Sequence, residues 1–200
     1  MLTIRNKKDL KGIRNLSNLK GADLRDADLE GVNLEGTNLS GAHLSKVNLE
    51  NAHLEYANLE GADLKGANLA GAFLEGAHFE ITDLEGADFR GAHLKIANFE
   101  NANLAGANFD SADMERAVLA GADLERANLD SAHLERANLN KAYLEGANLR
   151  SAHLEGANLN KAYLYEADFE DANLDGASLK DATLIKTKLE GASLEGIIQN

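Results

Sequence analysis

The chain has 200 residues, contains no cysteine, proline or tryptophan, and carries a formal net charge of −13 at neutral pH. Without cysteine it can form no disulfide and offers no thiolate metal ligand or thiol nucleophile. Residues 1–20 hold six basic groups against Asp9, a local charge of +5, so the rest of the chain carries −18. This acidic balance disfavours nucleic acid and anionic membranes as partners.

The first 18 residues do not follow the spacing of the rest of the chain. Leu10, Ile13 and Leu16 recur every three residues, which suits a short helical or 3₁₀ turn, and Leu2 and Ile4 could add apolar cover. We interpret residues 1–18 as an N-terminal helical cap; a basic arm for an acidic partner is the alternative. No signal peptide or membrane-spanning run is present, so we expect a cytoplasmic protein without membrane contact.

From Leu19 to Leu194, every fifth residue is large and apolar: thirty Leu, five Phe and Met114. Two residues earlier stands a small or β-branched residue, nearly always Ala, and Asp, Asn or His mostly lies between them. A period of five leaves no apolar stripe on an α-helix and alternates faces on a continuous strand. It fits a chain that turns a corner once per unit, with Ala and Leu inside.

Glycine marks the expected corners. Seventeen of the eighteen glycines occupy the last position of the five-residue unit. A tight corner favours glycine because it tolerates a positive φ. Other residues stand at equivalent positions, such as Arg116 and Lys141, so glycine itself is not required at every corner.

A second period of twenty is superimposed on the first. The segment AHLERANLNKAYL at 132–144 returns as AHLEGANLNKAYL at 152–164. If four units close one square coil, residues twenty apart are stacked at about 4.8 Å, and thirty-six units make about nine coils. Recent duplication is the alternative, but a histidine column extends beyond the near-identical segment: His53, His93, His133 and His153.

Four phenylalanines test this geometry. Phe79, Phe89, Phe99 and Phe109 lie ten residues apart, which places them alternately on two opposite walls of a square coil. We therefore expect two aromatic stacks in the interior.

Units such as Ala22-Asp-Leu24, Ala57-Asn-Leu59 and Ala147-Asn-Leu149 resemble those of the pentapeptide-repeat family. The resemblance implies an all-β fold, a right-handed quadrilateral parallel β-helix, here over residues 19–196 with a C-terminal tail at 197–200. It also implies an end-to-end homodimer through a terminal coil, for which the candidate surface is Leu194, Ile197 and Ile198. Some members of the family bind DNA gyrase and protect it from quinolones, but this chain has no inserted loop and mostly Leu centres.

One outer face carries a regular column of acidic residues. Its candidate interaction residues are Glu35, Glu55, Glu75, Glu115, Glu135 and Glu155. A solvated acidic face is the first interpretation, and mimicry of a nucleic-acid backbone for an enzyme such as gyrase is the second. Zinc binding by His133, His153, Glu135 and Glu155 is the third; a flat face converges poorly on a tetrahedral ion, so we expect no metal and no other cofactor.

The sequence contains no phosphate-binding glycine loop and no hydrolase or metalloprotease motif. A square prism also lacks a deep cleft. We therefore predict a non-enzymatic scaffold that binds an unidentified protein partner through a flat polar face. Exposed Tyr56, Phe73 and Ile96 on the acidic face, and stacked Tyr143 and Tyr163 on another wall, are further candidate contacts.

Overall fold

The computed structural model describes residues 2–10 and 17–199. Across these residues the one helix is α1, Lys7–Leu10, and no strand is longer than a single bridged residue. Parallel bridges join each middle residue of a unit to the residue twenty positions later, from Asn18–Asn38 to Ser178–Ile198. One coil of the chain therefore takes twenty residues and has four walls, as the sequence period predicts. Within the same residues, no helix is long and apolar enough to cross a bilayer.

Each corner is a tight turn with one left-handed residue. At the corner after Leu24, for example, Ala27 N donates to Leu24 O at 3.1 Å, and Asp26 between them has a φ of 56°. A positive φ at the third residue of a turn is the geometry of a type II turn. All corner residues from 21 to 196 adopt it, seventeen glycines and nineteen others, so the sign of φ is invariant although the residue is not.

Between the corners, the backbone bonds to both neighbouring coils. His43 N donates to Ala22 O of the preceding coil at 2.9 Å, and Leu24 N donates to His43 O of the following coil at 2.7 Å. The N–H after the leucine has no backbone partner of this kind. Where the middle residue of the unit is Asp or Asn, this N–H donates to that side chain, as Glu60 N does to Asn58 Oδ1 at 2.9 Å. The outward Asp and Asn therefore complete the backbone hydrogen bonding of each wall.

Leucine, phenylalanine and alanine fill the interior in layers. The inward leucines and phenylalanines from Leu19 to Leu179 are at most 6% exposed. Phe79 stacks on Phe99 with ring centroids 4.7 Å apart, and Phe89 stacks on Phe109 at 4.8 Å. The two stacks meet edge to face across the coil at about 6 Å. This confirms the two predicted aromatic stacks.

The N-terminal residues lie against the first coil. Thr3 and Asn6 form parallel bridges to Asp23 and Asp28, and the side chains of Ile4 and Leu10 are buried. Leu2, which we expected to add cover, is 44% exposed. Ile13 and Leu16, on which the predicted three-residue spacing also depends, lie outside the described residues, so the helical cap over residues 1–18 stays a prediction.

The corners predict opposite effects of two substitutions. Gly86→Ala places a Cβ where no heavy atom lies within 4 Å, at a φ of +66°, so it should lower the free energy of unfolding by about 1 kcal/mol through backbone strain alone. Ile81→Gly relieves the strain of a β-branched residue at a φ of 51° and gives up a side chain that is 61% exposed.

Thermal unfolding followed by circular dichroism should therefore show a lower midpoint for Gly86→Ala and a higher one for Ile81→Gly. Glu60→Ala, at an exposed position with a negative φ, is the matched control and should change stability by less than about 0.5 kcal/mol. Equal midpoints for all three variants would contradict a strained corner.

Candidate binding face

One outer wall of the coil carries the predicted acidic face. Its middle residues occur every twenty positions from Asn33 to Ser193 and are joined by a continuous ladder of parallel bridges. The residues after the leucines, from Glu35 to Glu195, form a second column beside it, in which eight of nine are acidic and the ninth is Lys95. We call these two columns the acidic wall. The six candidate glutamates all lie on it.

The six glutamates differ in how they are held. Glu35 and Glu75 are exposed, and their side chains make no hydrogen bond or ion pair within the described part of the chain. The other four are half-buried. Among them, Glu55 Oε1 lies 3.1 Å from His53 Nδ1, and Glu135 Oε1 lies 3.1 Å from His133 Nδ1.

The carboxylate of Glu155 has a different partner. Its Oε1 accepts a hydrogen bond of 2.6 Å from Asn173 Nδ2, while His153 Nδ1 lies 3.8 Å away. The twenty-residue period does not reveal Asn173, because this contact joins residues eighteen apart. The same spacing links Asn98 to Glu80, so an Asn eighteen residues after a Glu is a signal that could have been found.

Lys95 is the one basic residue of the acidic column. Its Nζ donates to Glu115 Oε2 at 2.9 Å and lies 3.5 Å from Asp113 Oδ2. The hydrogen bond to Glu115 raises the pKa of Lys95, and the same bond lowers the pKa of Glu115. Lys95 therefore pairs with two carboxylates of the next coil, and among the described residues it forms no ion pair with Glu55 or Glu75.

Rings stack along the middle column of the wall. His53, Phe73 and His93 form a continuous stack with centroid distances of 4.6 and 4.9 Å, and His133 stacks on His153 at 4.8 Å. The predicted histidine column thus exists as two groups of stacked rings. Tyr143 and Tyr163 stack at 4.8 Å on another wall, as expected.

A shallow groove of about 180 Å³ opens on the acidic wall. It is lined by Glu55, Phe73, Glu75, His93, Lys95 and Asp113. Two exposed apolar side chains stand at the corner beside it, Tyr56 at 56% and Ile96 at 42% exposure. Gly76 lies between them in the corner column, and a Cβ there would come within 2.7 Å of the Tyr56 ring, so the glycine leaves room for that ring.

The carboxyl groups of the described residues give little sign of acid–base chemistry. Every carboxyl pKa that departs from its ordinary value is lowered: those of Asp23, Asp88, Glu115, Glu166 and Asp168. A general acid needs a pKa raised toward neutral pH. The shifted carboxylates form ion pairs, and the aspartates among them also accept hydrogen bonds from backbone N–H groups.

The candidate dimer end is an open coil. Leu194 is 37% exposed, and Leu184, on the opposite wall of the same last coil, is 38% exposed. Ile197 takes the inward position of an Ala and packs against the core, while Ile198 occupies the middle position and is 46% exposed. The two isoleucines therefore point to different sides, and only Ile197 helps to fill the coil.

The family model for pentapeptide repeats matches the chain in overlapping segments that together run from residue 17 to residue 198, interrupted only at residue 96. The chain therefore belongs to the pentapeptide-repeat family. Its fold is the right-handed quadrilateral β-helix of that family, as the repeats predict. No curated protein sequence matches the chain.

Solved structures similar to the chain include a cyanobacterial protein and a resistance protein. HetL from Nostoc sp., described as involved in the regulation of heterocyst differentiation, is 36% identical over 88% of this chain and 84% of its own, with a TM-score of 0.44. QnrB1 in a trypsin-treated form, described as a plasmid-mediated fluoroquinolone resistance protein, is 21% identical over 100% of this chain and 90% of its own, with a TM-score of 0.69.

A plant protein is also similar. A pentapeptide-repeat protein from the thylakoid lumen of Arabidopsis thaliana is 27% identical over 57% of this chain and 66% of its own, with a TM-score of 0.40. The QnrB1 likeness supports the fold of this chain.

Replacing Lys95 tests the electrostatics of the wall. Lys95→Met removes the hydrogen bond and the positive charge that lower the pKa of Glu115, so this pKa should rise toward its ordinary value. Carboxyl ¹³C chemical shifts followed by NMR over a pH titration would measure the change. Arg116→Met removes a weaker, longer-range effect on the same carboxyl and should raise its pKa less; a larger effect of Arg116→Met would contradict the assignment.

Proposed function

We propose that this pentapeptide-repeat protein is a non-catalytic scaffold whose acidic wall binds a basic surface of a protein partner. The observation that carries the proposal is the pair of unpaired carboxylates, Glu35 and Glu75, on a wall whose other acidic groups are largely held by neighbours. Unpaired, exposed carboxylates lose little on binding a Lys or Arg, because no internal hydrogen bond has to be broken first.

The groove supplies an apolar centre for such an interface. Its floor includes Phe73, and Tyr56 and Ile96 stand at its edge, beside the carboxylate of Glu75. Binding energy in protein interfaces concentrates in apolar and aromatic side chains near the centre, with charges around them that select the partner. A partner that presents an Arg or Lys next to an apolar side chain would satisfy both features.

A pair of charge-reversed variants tests this proposal. Glu35→Lys with Glu75→Lys reverses two free carboxylates of the acidic wall, and Glu60→Lys with Glu100→Lys makes the same change in charge at exposed positions of another wall. Affinity capture from the native host, quantified by mass spectrometry, should recover a basic partner with the wild type and the second variant. The first variant should lose it at least tenfold. Equal recovery by both variants would refute the acidic wall as the binding surface.

Mimicry of DNA toward gyrase is the second candidate function. Two observations favour it: the regular acidic column along a rigid coil, and the similar fold of QnrB1, which is described as a fluoroquinolone resistance protein. A supercoiling assay with purified DNA gyrase, with and without a quinolone, is the direct test. No inhibition and no protection at micromolar protein would eliminate this candidate for that enzyme, while leaving a different basic partner in place.

We further propose that two copies associate through the last coil. The half-exposed Leu184 and Leu194 would be covered by their counterparts in a second copy, as the inner leucines of every earlier coil are covered by the next. Light scattering should give twice the chain mass of 21.4 kDa for the wild type. Leu194→Asp should give the mass of one chain, and Ile198→Asp, which changes an outward side chain, should weaken the dimer less. A mass of one chain for the wild type would refute the proposed dimer.

The cytoplasmic location expected from the sequence stays a prediction. The similar protein from Arabidopsis is described as lumenal.

A further inference from the structure

We propose that Glu135, His153 and Glu155 form a zinc-binding site on the acidic wall. One ligand atom of each residue lies within 4.8 Å of the corresponding atoms of the other two. A neutral imidazole with two carboxylates is a donor set that suits Zn²⁺. Our expectation of no metal rested on the flatness of the wall, and the contacts around these three side chains answer that objection.

The site occurs where a His-x-Glu unit is repeated in consecutive coils. His133 stacks on His153. Glu135 and Glu155 follow these histidines on the same two neighbouring coils, and both lie beside the imidazole of His153. In the first unit, as at His53 and His78, the Nδ1 lies 3.1 Å from the glutamate of its own unit. At His153 that distance is 3.8 Å, and Asn173 holds the carboxylate of Glu155 instead. The His153 imidazole therefore makes no hydrogen bond to its own glutamate and only a long contact with it.

Two carboxylate oxygens at this place lack a partner. The Oε2 atoms of Glu135 and Glu155 are shielded from solvent and accept no hydrogen bond from any described residue. A shielded anionic oxygen without a partner costs free energy, and a bound cation would offset that cost. Glu55 and Glu80 share this feature. A glutamate also stands twenty residues before each of them, Glu35 and Glu60, but among the described residues only Glu135, His153 and Glu155 bring three ligand atoms within 4.8 Å of one another.

The three side chains can contract onto a tetrahedral ion. Zinc–ligand distances near 2.0–2.2 Å require ligand atoms roughly 3.3–3.5 Å apart, so separations of up to 4.8 Å must shorten by up to about 1.4 Å. His153 is 45% exposed, and Glu135 and Glu155 are 31% and 37% exposed, so each side chain borders solvent on the outer wall. Asn173 would orient the Glu155 carboxylate, and water would complete the coordination.

Isothermal titration of the full chain, without an affinity tag and stripped with a chelator, tests the site with ZnCl₂ as the probe. Millimolar Mg²⁺ in the buffer competes for carboxylates but not for imidazole, so it suppresses general binding to the acidic surface. We expect one Zn²⁺ per chain under these conditions. His153→Ala and, separately, the nearly isosteric pair Glu135→Gln with Glu155→Gln should each lower the zinc affinity at least about tenfold.

His78→Ala with Glu80→Gln is the matched control, because this pair has the same His-x-Glu spacing and the same Asn contact on another wall. It should leave zinc affinity unchanged. The ¹⁵N shifts of the His153 ring should also change on adding zinc, which reports ligation independently of stability. The proposal is overturned by no saturable binding to the wild type, by unchanged affinity in His153→Ala or in the glutamine pair, or by an equal loss in the control.

Discussion

At every corner from Gly21 to Asp181, and again at Gly191, the N–H of an inward Ala or its equivalent donates to the carbonyl of the Leu, Phe or Met three residues before it, and the turn closes only because the residue between them holds a positive φ. This local constraint repeats every five residues and returns the chain to its starting wall after twenty. The bridges between coils, the layered interior and the outer columns all depend on it. The turn accepts charged, polar, aromatic and β-branched residues at the corner, including Ile81, because the many bonds between coils outweigh the strain at a single residue.

The corners explain why so much of the fold could be predicted. The spacing of Leu19 to Leu194 excludes a helix and a continuous strand, and the twenty-residue recurrence sets the number of walls. The side chains that stack are then those twenty residues apart, as for Phe79 on Phe99 and Tyr143 on Tyr163. This spacing predicts contacts because each unit packs in the same way against the next coil, so few distant residues influence where a given side chain lies.

The candidate site could be predicted only in part. The columns were placed correctly, but the sequence pattern does not say which carboxylates are already engaged. Glu75 is free, whereas Glu115 is bonded to Lys95 and Glu155 to Asn173. These differences depend on rotamers and on diagonal contacts between coils, and a periodicity argument does not resolve either. At the N-terminus the bridge from Thr3 to Asp23 keeps the twenty-residue spacing, whereas the bridge from Asn6 to Asp28 joins residues twenty-two apart and had no signal in the spacing.

The twenty-residue coil also bears on how such a molecule can change in length. Insertion or loss of one whole coil, of the kind suggested by the near-identity of residues 132–144 and 152–164, keeps every later residue on its original wall. Gain or loss of a single five-residue unit would instead move every later residue to an adjacent wall. The acidic column would then break and resume on an adjacent wall, although the interior would stay equally well filled. Natural variation in this chain can therefore preserve folding in steps of five, but it preserves a continuous outer surface only in steps of twenty.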